Sequence, residues 1–285
     1  MMDRVLIVGT GLIGASVGLA LRSAGFAGRI DGWDLSMLEL ASAEQMGAID
    51  GHAANRESAL ELAKVADVIV LAVPVLAIKE WMQLLAPELG PGQLVTDVGS
   101  TKLEIAELAA ELFNKEGRAC FLPGHPMAGK ESGGALLAEG GLFDGAIWLF
   151  TPAADRPVAA DKEWRGWVGC FGTRVLDMDA ARHDELCAWV SHLPQMLSTA
   201  LAALLEDKFG DAPEIGAIGA RALRETTRLG ASPYSMWRDV AMTNTGPIAD
   251  TLLAFEQRLT HLRENLRTPE LRDEFALANR FRRRR

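Results

Sequence analysis

Short apolar runs alternate with amphipathic stretches along the first half of the chain. The runs are rich in β-branched residues, which is typical of buried strands, and the stretches between them have helical period and end at Gly or Pro. The predicted strands are VLIV (5–8), RIDGWD (29–34), DVIVLAV (67–73), QLVTDV (93–98) and RACFL (118–122), with AIWLF (146–150) and TRVLDM (173–178) as further candidates. This alternation predicts parallel strands joined by right-handed crossovers, hence an α/β, Rossmann-like, doubly wound sheet.

The pattern changes after Asp179. Residues 180–285 contain hardly any β-branched run and consist of Ala, Leu, Glu and Arg at helical spacing, as in PIADTLLAFEQRLTHLRENL (247–266). We therefore expect two domains, 1–179 for dinucleotide binding and an all-helical domain at 180–285. Helices in so small a unit leave apolar faces uncovered, which predicts a homodimer through this domain.

Composition narrows the class of protein. Of the 285 residues 49% are hydrophobic and 24% charged, and no apolar run approaches the roughly 20 residues that cross a bilayer. MMDRVLIVGTGLIG (1–14) predicts a core strand and not a signal peptide. We expect a soluble, cytoplasmic protein without a membrane partner.

The net charge and the cysteine spacing argue against nucleic acid and metal ions as partners. A net charge of −9 argues against nucleic acid as the main partner, and the basic tail RFRRRR (280–285) is interpreted as a solvated end. Cys120, Cys170 and Cys187 are far apart, have apolar neighbours and lack metal-ligand spacing. The sequence predicts buried, reduced thiols and no metal site.

GTGLIG (9–14) follows the first predicted strand and opens a helix. In this G-x-G-x-x-G pattern Gly9 permits the tight turn, Gly11 lets the backbone approach a pyrophosphate, and Gly14 allows close packing of helix on strand. Leu12 and Ile13 lie at the helix N-terminus, whose unpaired N–H groups bind phosphate. The segment predicts a dinucleotide site.

The choice of dinucleotide depends on Asp34, which ends the second predicted strand 20 residues after Gly14. Its carboxylate suits the ribose hydroxyls of adenosine and would repel a 2′-phosphate. Leu35 and Ser36 bring no cation behind it, so NAD is favoured over NADP. Val73 and Pro74, at the end of another strand, are expected to border the cofactor because strand ends line the crevice in such sheets.

Four segments remain for the substrate: DVGSTK (97–102), HPMAGKE (125–131), SHLPQ (191–195) and RETTRLGASPYSMWRD (224–239). Together with the glycine-rich turn, this ordered set resembles the prephenate and arogenate dehydrogenase family of tyrosine biosynthesis, over about residues 4–265. The resemblance implies a homodimer with an N-terminal NAD(P) domain and a helical dimerisation domain. It also implies oxidative decarboxylation of a cyclohexadienol.

The implied reaction needs a base at the C4 hydroxyl of the substrate, a hydride acceptor and cations for two carboxylates. By resemblance His125 is the base, since a neutral imidazole titrates near working pH. Ser100 is the serine that bonds both the hydroxyl and the histidine and so fixes its tautomer. Alternatively, Ser100 and Thr101 cap the helix that starts near Lys102; the two roles can coexist.

Substrate contacts are also implied by the resemblance. Arg228 matches the arginine that binds a substrate carboxylate, and Ser191 matches a substrate-contacting serine. Glu131 belongs, with Arg224, Glu225 and Trp237, to positions that form a charged and aromatic gate, partly across the dimer interface. The alternative for this group is a set of solvated helix faces.

The sequence departs from the family at two places. Gln195 stands where many members have the last histidine of S-H-L-P-H, and Arg221 and Ala222 stand where members often carry two glycines. Both changes fall on the wall facing the substrate side chain. Loss of one cation there leaves the choice between prephenate, a keto acid, and arogenate, an amino acid, open.

Other functions compete with this hypothesis. A β-hydroxyacid or imine dehydrogenase would centre on a lysine in the helical unit, where Lys208 is the only lysine between Asp179 and Trp237. A catalytically silent dinucleotide sensor is the third possibility. Of the other histidines, His52, His183 and His261 are expected at the surface, and His192 is expected only to pack.

Overall fold

The computed structural model describes residues 2–130, 132–153 and 159–284. Its strands are β1 (Arg4–Val8), β2 (Arg29–Trp33), β3 (Gly51–His52), β4 (Val68–Leu71), β5 (Leu94–Asp97), β6 (Cys120–Leu122), β7 (Gly124–Pro126), β8 (Ile147–Phe150) and β9 (Arg174–Asp177). Each strand predicted from the sequence is confirmed. The two-residue β3 and the three-residue β7 were not predicted, because neither has a run long enough to show a period of two.

Six of the strands form a parallel sheet in the order β3-β2-β1-β4-β5-β6. The chain runs outward from β1 to β3, returns to β4 beside β1, and runs outward again to β6. This confirms the predicted Rossmann-like topology, and the switch between β1 and β4 is where such sheets leave a ligand crevice at the strand ends.

The sheet is buried on both faces, as a parallel sheet must be. Val5 and Ile7 of β1 pack into one hydrophobic core, whereas Leu6 and Val8 pack into the other. Alternate side chains of a strand point to opposite faces, so this one apolar run supplies both cores.

A second, three-stranded sheet has the order β7-β8-β9, with β7 antiparallel and β9 parallel to β8. Trp148 and Phe150 of β8 lie in the same core as Val5 and Ile7. The small sheet therefore extends the first unit, and its edge strand β7 carries His125 paired with Leu149.

The helices of the first unit are α1 (Leu12–Ser23), α2 (Met37–Gln45), α3 (Arg56–Val65), α4 (Val75–Leu85), α5 (Leu103–Leu112) and α6 (Ala159–Cys170). Those of the second unit are α7 (Ala180–Cys187), α8 (Leu193–Phe209), α9 (Pro213–Ile218), α10 (Arg221–Thr227), α11 (Tyr234–Thr243), α12 (Thr245–Glu264) and α13 (Pro269–Arg283). A π-helical turn (Ala188–His192) joins α7 to α8, and 3-10 turns occupy Ala135–Leu137 and Arg228–Ala231. The predicted helical C-terminal unit is confirmed.

One thiol departs from expectation. Cys120 and Cys187 are buried, but Cys170 is exposed because it ends α6 on the side away from that helix's buried residues Trp164 and Val168. Across the described ranges, no helix has the length and apolar character needed to span a membrane.

Candidate active site

A cavity of about 490 Å³ opens at the carboxyl ends of β1, β2 and β4. It is lined by Gly9, Gly11, Trp33, Asp34, Leu35, Arg56, Ala72, Val73, Pro74, Leu76, Ala77, Glu80, Trp81, Arg238 and Asp239. Of the predicted cofactor residues it brings together Gly9, Gly11, Asp34, Val73 and Pro74. Arg238 and Asp239 come from α11 in the helical unit, so both units contribute to this cavity.

The three glycines of the first turn differ in what surrounds them. A Cβ on Gly9 would lie 2.4 Å from the Ala72 carbonyl oxygen at a φ of +93°, and one on Gly14 would lie 1.8 Å from the Gly9 carbonyl oxygen. A Cβ on Gly11 would meet nothing within 4 Å. Gly9 thus lets its turn lie against the residues after β4, and Gly14 lets α1 pack against the end of β1. Gly11 leaves open the space that a pyrophosphate needs at the start of α1.

Asp34 is held at the cavity by the main chain. Its carboxylate accepts hydrogen bonds from the backbone N–H of Thr10 at 2.8 Å and of Ser36 at 2.9 Å. The carboxylate therefore has a fixed place from which to accept ribose hydroxyls. Leu12 and Ile13 do not line the cavity; Leu12 is buried and Ile13 packs on the core.

Arg56 is a cavity residue that the sequence did not indicate. Its guanidinium lies 6.0 Å from the Trp33 ring and 5.7 Å from the Trp81 ring, within the range of cation–π contacts. Leu35 and Ser36 bring no cation directly behind Asp34, yet α3 places one on the same cavity. Local sequence cannot show this because 22 positions separate the two residues.

His125 is positioned by the loop after β5. The Asp97 carboxylate accepts hydrogen bonds from the backbone N–H of Gly124 at 3.1 Å and of Gly99 at 2.8 Å, and it forms a buried ion pair with Lys102. Burial raises the pKa of Asp97 and lowers that of Lys102, and the ion pair opposes both shifts. This pair ties the DVGSTK segment to the strand that carries His125.

The ring of His125 is paired with that of His183. The His125 Nδ1 lies 2.9 Å from the His183 Nε2, and the His183 Nδ1 lies 2.7 Å from the Asp184 Oδ1. All three side chains are buried. The expectation that His183 lies at the surface is therefore wrong, since α7 packs against α5 and the His183 ring meets His125 of β7.

Burial sets the basicity of His125. Loss of solvent lowers its pKa well below 6.5, and positive charge on His183, Lys102 or His192 would lower it further. At neutral pH the imidazole is uncharged and can accept a proton. Its Nε2 has no hydrogen-bond partner among the residues that the structure describes.

Asp184 also caps α5 from a distance. Its two carboxylate oxygens accept hydrogen bonds from the backbone N–H of Lys102 at 2.7 Å and of Leu103 at 2.9 Å. The alternative that Ser100 and Thr101 cap this helix is wrong: α5 has no side-chain cap of its own, and the Thr101 hydroxyl lies 2.8 Å from that of Thr243. Unpaired N–H groups at a helix start attract a carboxylate, here one supplied 81 positions later.

Ser100 lies half-buried in the loop after β5. Among the described residues it makes no hydrogen bond to His125, whose Nδ1 contacts His183 instead. The predicted role of Ser100 toward a substrate hydroxyl stays a prediction.

A second cavity, of about 510 Å³, lies in the helical unit. It is lined by Gln195, Met196, Thr199, Gly230, Ser232, Tyr234, Trp237, Arg238, Ala241 and Met242. Arg238 lines both this cavity and the first one. The Trp237 Nε1 is buried and lacks a hydrogen-bond partner within the described ranges.

Gln195 is predicted to contact substrate, and the structure shows what its amide already bonds. Its Nε2 donates to the Leu229 carbonyl at 2.7 Å and to the Thr199 hydroxyl at 3.1 Å, and its Oε1 accepts from Ser232. The Gly230 N–H donates to the Ser198 hydroxyl at 2.9 Å. These bonds hold the 3-10 turn Arg228–Ala231 on α8.

The other predicted substrate residues are dispersed. Arg228 is exposed at the start of that 3-10 turn, and Ser191 is half-buried in the π-helical turn. Neither lines the two cavities described above. Glu131 lies outside the described residues. π-helical turns often occur at functional sites, and this one also contains His192, whose Nδ1 lies 3.1 Å from the Asn244 side-chain nitrogen.

His125, His183 and Cys187 form a compact buried group. Their potential ligand atoms lie within 4.8 Å of one another, the one such His, Cys and carboxylate group of metal-binding spacing in the part of the chain that the structure describes. The imidazoles are hydrogen bonded to each other, and burial raises the pKa of the Cys187 thiol to about 12, so the thiol is protonated at neutral pH. Sequence spacing did not indicate this group, since its members are 58 and 4 positions apart.

Known proteins resemble the chain in both units. Residues 17–168 match the family described as "Prephenate dehydrogenase, nucleotide-binding domain", and residues 179–280 match "Prephenate dehydrogenase, dimerization domain". A prephenate dehydrogenase of Lactococcus lactis subsp. cremoris is 32% identical over 92% of this chain and 70% of its own length. A cyclohexadienyl dehydrogenase of Zymomonas mobilis is 27% identical over 91% of this chain and 87% of its own length.

Solved structures agree with the sequence matches. The prephenate dehydrogenase of A. aeolicus in complex with hydroxyphenyl propionate and NAD+ superposes with a TM-score of 0.86 at 28% identity, covering 99% of this chain and 98% of that one. The Synechocystis arogenate dehydrogenase superposes with a TM-score of 0.79 at 29% identity, covering 99% of each chain.

Proposed function

The chain belongs to the prephenate dehydrogenase family, and from that premise we propose that it catalyses NAD-dependent oxidative decarboxylation in tyrosine biosynthesis. The substrate is prephenate, giving 4-hydroxyphenylpyruvate, and/or arogenate, giving tyrosine. The observation that carries the proposal is His125. It is a buried, neutral imidazole with one nitrogen hydrogen bonded to His183 and the other without a partner among the described side chains.

The first cavity fits NAD. Gly11 leaves space at the N-terminus of α1, where a pyrophosphate binds, and Asp34 holds a fixed carboxylate for the ribose hydroxyls. When bound, NAD supplies the acceptor for the hydride from C4 of the substrate ring. NADP is the less favoured dinucleotide because of the Asp34 charge.

The chain's own groups have three tasks in this reaction. The His125 Nε2 takes the proton of the C4 hydroxyl, and Ser100 hydrogen bonds that hydroxyl. Arg228 binds a substrate carboxylate with its forked guanidinium, and the bonds of Gln195 to the 3-10 turn keep Arg228 in position. Ser191, Gln195 and Glu131 complete the substrate contacts.

We also propose the division 1–179 and 180–285, a homodimer through the helical domain, and a cytoplasmic location. β9 ends at Asp177 and helices follow from Ala180, which supports the boundary. Large exposed apolar side chains on the helical unit, such as Trp189, Leu253 and Leu259, support a second copy covering them.

Steady-state kinetics with prephenate and arogenate, each against NAD and NADP, tests the function. We expect turnover with NAD and at least one of the two cyclohexadienols, and the four values of kcat/KM rank substrate and cofactor. NAD binding without any turnover would favour a dinucleotide sensor instead. Turnover of a β-hydroxy acid or imine is disfavoured because Lys208 is exposed and lies against Phe209.

A further inference from the structure

The pair His125 and His183 is part of a longer chain of hydrogen bonds. The His183 side chain is fully buried, and each of its ring nitrogens has a close partner: Asp184 Oδ1 at 2.7 Å and His125 Nδ1 at 2.9 Å. The Asp184 carboxylate in turn accepts from the Lys102 and Leu103 backbone N–H groups. The order is therefore carboxylate, His183, His125.

The acceptors in this chain determine where the protons are. An ionised carboxylate only accepts hydrogen bonds, and the Asp184 carboxylate already accepts from two backbone N–H groups. His183 must then donate through Nδ1, which leaves a lone pair on its Nε2. That lone pair accepts from His125 Nδ1–H, and the lone pair of His125 is left on Nε2.

We propose that His183, oriented by Asp184, is the positioning residue that fixes His125 in the tautomer whose Nε2 is the base. The proposal rests on the proposed function for the identity of the proton that His125 accepts. When His125 takes that proton on Nε2, its Nδ1–H bond to a neutral acceptor stabilises the imidazolium that forms. The role parallels that of the carboxylate which orients a catalytic histidine in hydrolases, with an imidazole interposed.

Other groups face the pair and define the control conditions. The Cys187 Sγ lies 3.5 Å from the His183 Nε2, but a thiol is a weak donor compared with an imidazole N–H. Lys102 and His192 lie near His125 and add positive charge when protonated. Because the His, His and Cys group has a spacing that a metal ion can use, all assays include a chelator.

Two substitutions of His183 separate positioning from structure. In His183→Asn the short amide reaches Asp184 but not His125, whereas in His183→Gln the longer amide places its carbonyl where Nε2 stood. We expect His183→Asn to lower kcat roughly 10- to 100-fold, a fraction of what a general base contributes, with both KM values within about twofold of wild type. His183→Gln should regain part of that loss.

The matched control is His261→Asn, which changes an exposed histidine of α12 and should leave kcat unchanged. A wild-type kcat in His183→Asn would overturn the proposal. Equal losses in both His183 variants, together with raised KM values, would also overturn it because they indicate a structural role.

The tautomers can be observed without any turnover. In ¹⁵N-labelled protein, long-range ¹H–¹⁵N correlations distinguish Nδ1–H from Nε2–H imidazoles, and with five histidines single-residue variants give the assignments. We expect Nδ1–H for both His125 and His183, and Nε2–H for His192, whose Nδ1 accepts from Asn244. An Nε2–H tautomer at His125 would refute the positioning role of His183, whether or not the protein turns over a cyclohexadienol. Failure to turn over either cyclohexadienol would refute only the proposed function.

Discussion

The dinucleotide cavity and the histidine group are built in different ways. The cavity is formed mainly by the ends of β1, β2 and β4, with backbone shape at the glycines and one carboxylate held by two N–H groups. The histidine group joins β7 to α7 across 58 positions and depends on hydrogen bonds between buried side chains. A site made from backbone is visible in a short sequence motif, whereas one made from distant buried side chains needs the fold.

The largest expected effect falls on the histidine group. In His125→Asn we expect kcat to fall roughly 10²- to 10⁴-fold, the contribution of a general base, because an amide cannot take the proton. NAD affinity, measured by fluorescence titration, should stay at the wild-type value. Weaker NAD binding in this variant would show that the histidine group and the dinucleotide cavity are not independent.

Arg228→Ala tests whether substrate recognition reaches the exposed 3-10 turn of the helical unit. We expect the free energy of substrate binding to weaken by about 1.5–3 kcal/mol, the range for a lost hydrogen bond to a charged group. The KM for the cyclohexadienol should rise by the corresponding factor, with kcat less affected. Arg263→Ala, an exposed arginine of α12, is the control. An unchanged KM would move the carboxylate contact to another residue.

A pair of glycine substitutions tests the backbone-built cavity. Gly14→Ala should destabilise the fold by about 1–3 kcal/mol or more, since a Cβ there lies 1.8 Å from the Gly9 carbonyl oxygen. Gly11→Ala should leave the thermal midpoint nearly unchanged, because its Cβ meets open space, but should weaken NAD binding. Calorimetry and NAD titration measure the two effects, and a stable Gly14→Ala protein would contradict the packing argument.

The smallest effect concerns pH. Only neutral His125 can accept a proton, and burial lowers its pKa well below 6.5, so the base form persists as pH falls through 6.5. The charged and titratable groups around it are His183, Asp184 and Cys187 of α7, Lys102 before α5, and His192. We expect kcat/KM to vary by less than about twofold between pH 8 and 6.5 and to decline only at lower pH. A midpoint near 6.5 would indicate a solvated histidine.

More of the fold than of the candidate site could be predicted from the sequence. Buried parallel strands are continuous apolar runs, so β1 and β4 are evident from their short apolar segments. The three-residue β7, which includes Pro126, has no such run and was missed. Element type follows from local pattern, and β3 and β7, which have no apolar run, do not show one.

Within the site, the residues that were found lie in contiguous motifs. Gly9, Gly11 and Asp34 follow a known spacing and line one cavity. His183 had no such signal, because a histidine beside an aspartate at a helix start is as typical of a surface. Its burial comes from the packing of α7 against α5 and from the contact with His125 of β7. Arg56 was missed for the same reason, since only the packing of α3 beside β2 brings it to the cavity.

Asp184 has a mechanical consequence for the two units. It is anchored to the first turn of α5 by two short hydrogen bonds, while its own carbonyl accepts from Asn244 at 2.9 Å. On the cavity side, the contact from Leu76 N–H to Asp239 is longer, at 3.3 Å. The two units are therefore joined more tightly at Asp184, beside the two imidazoles, than at the Asp239 end of the dinucleotide cavity.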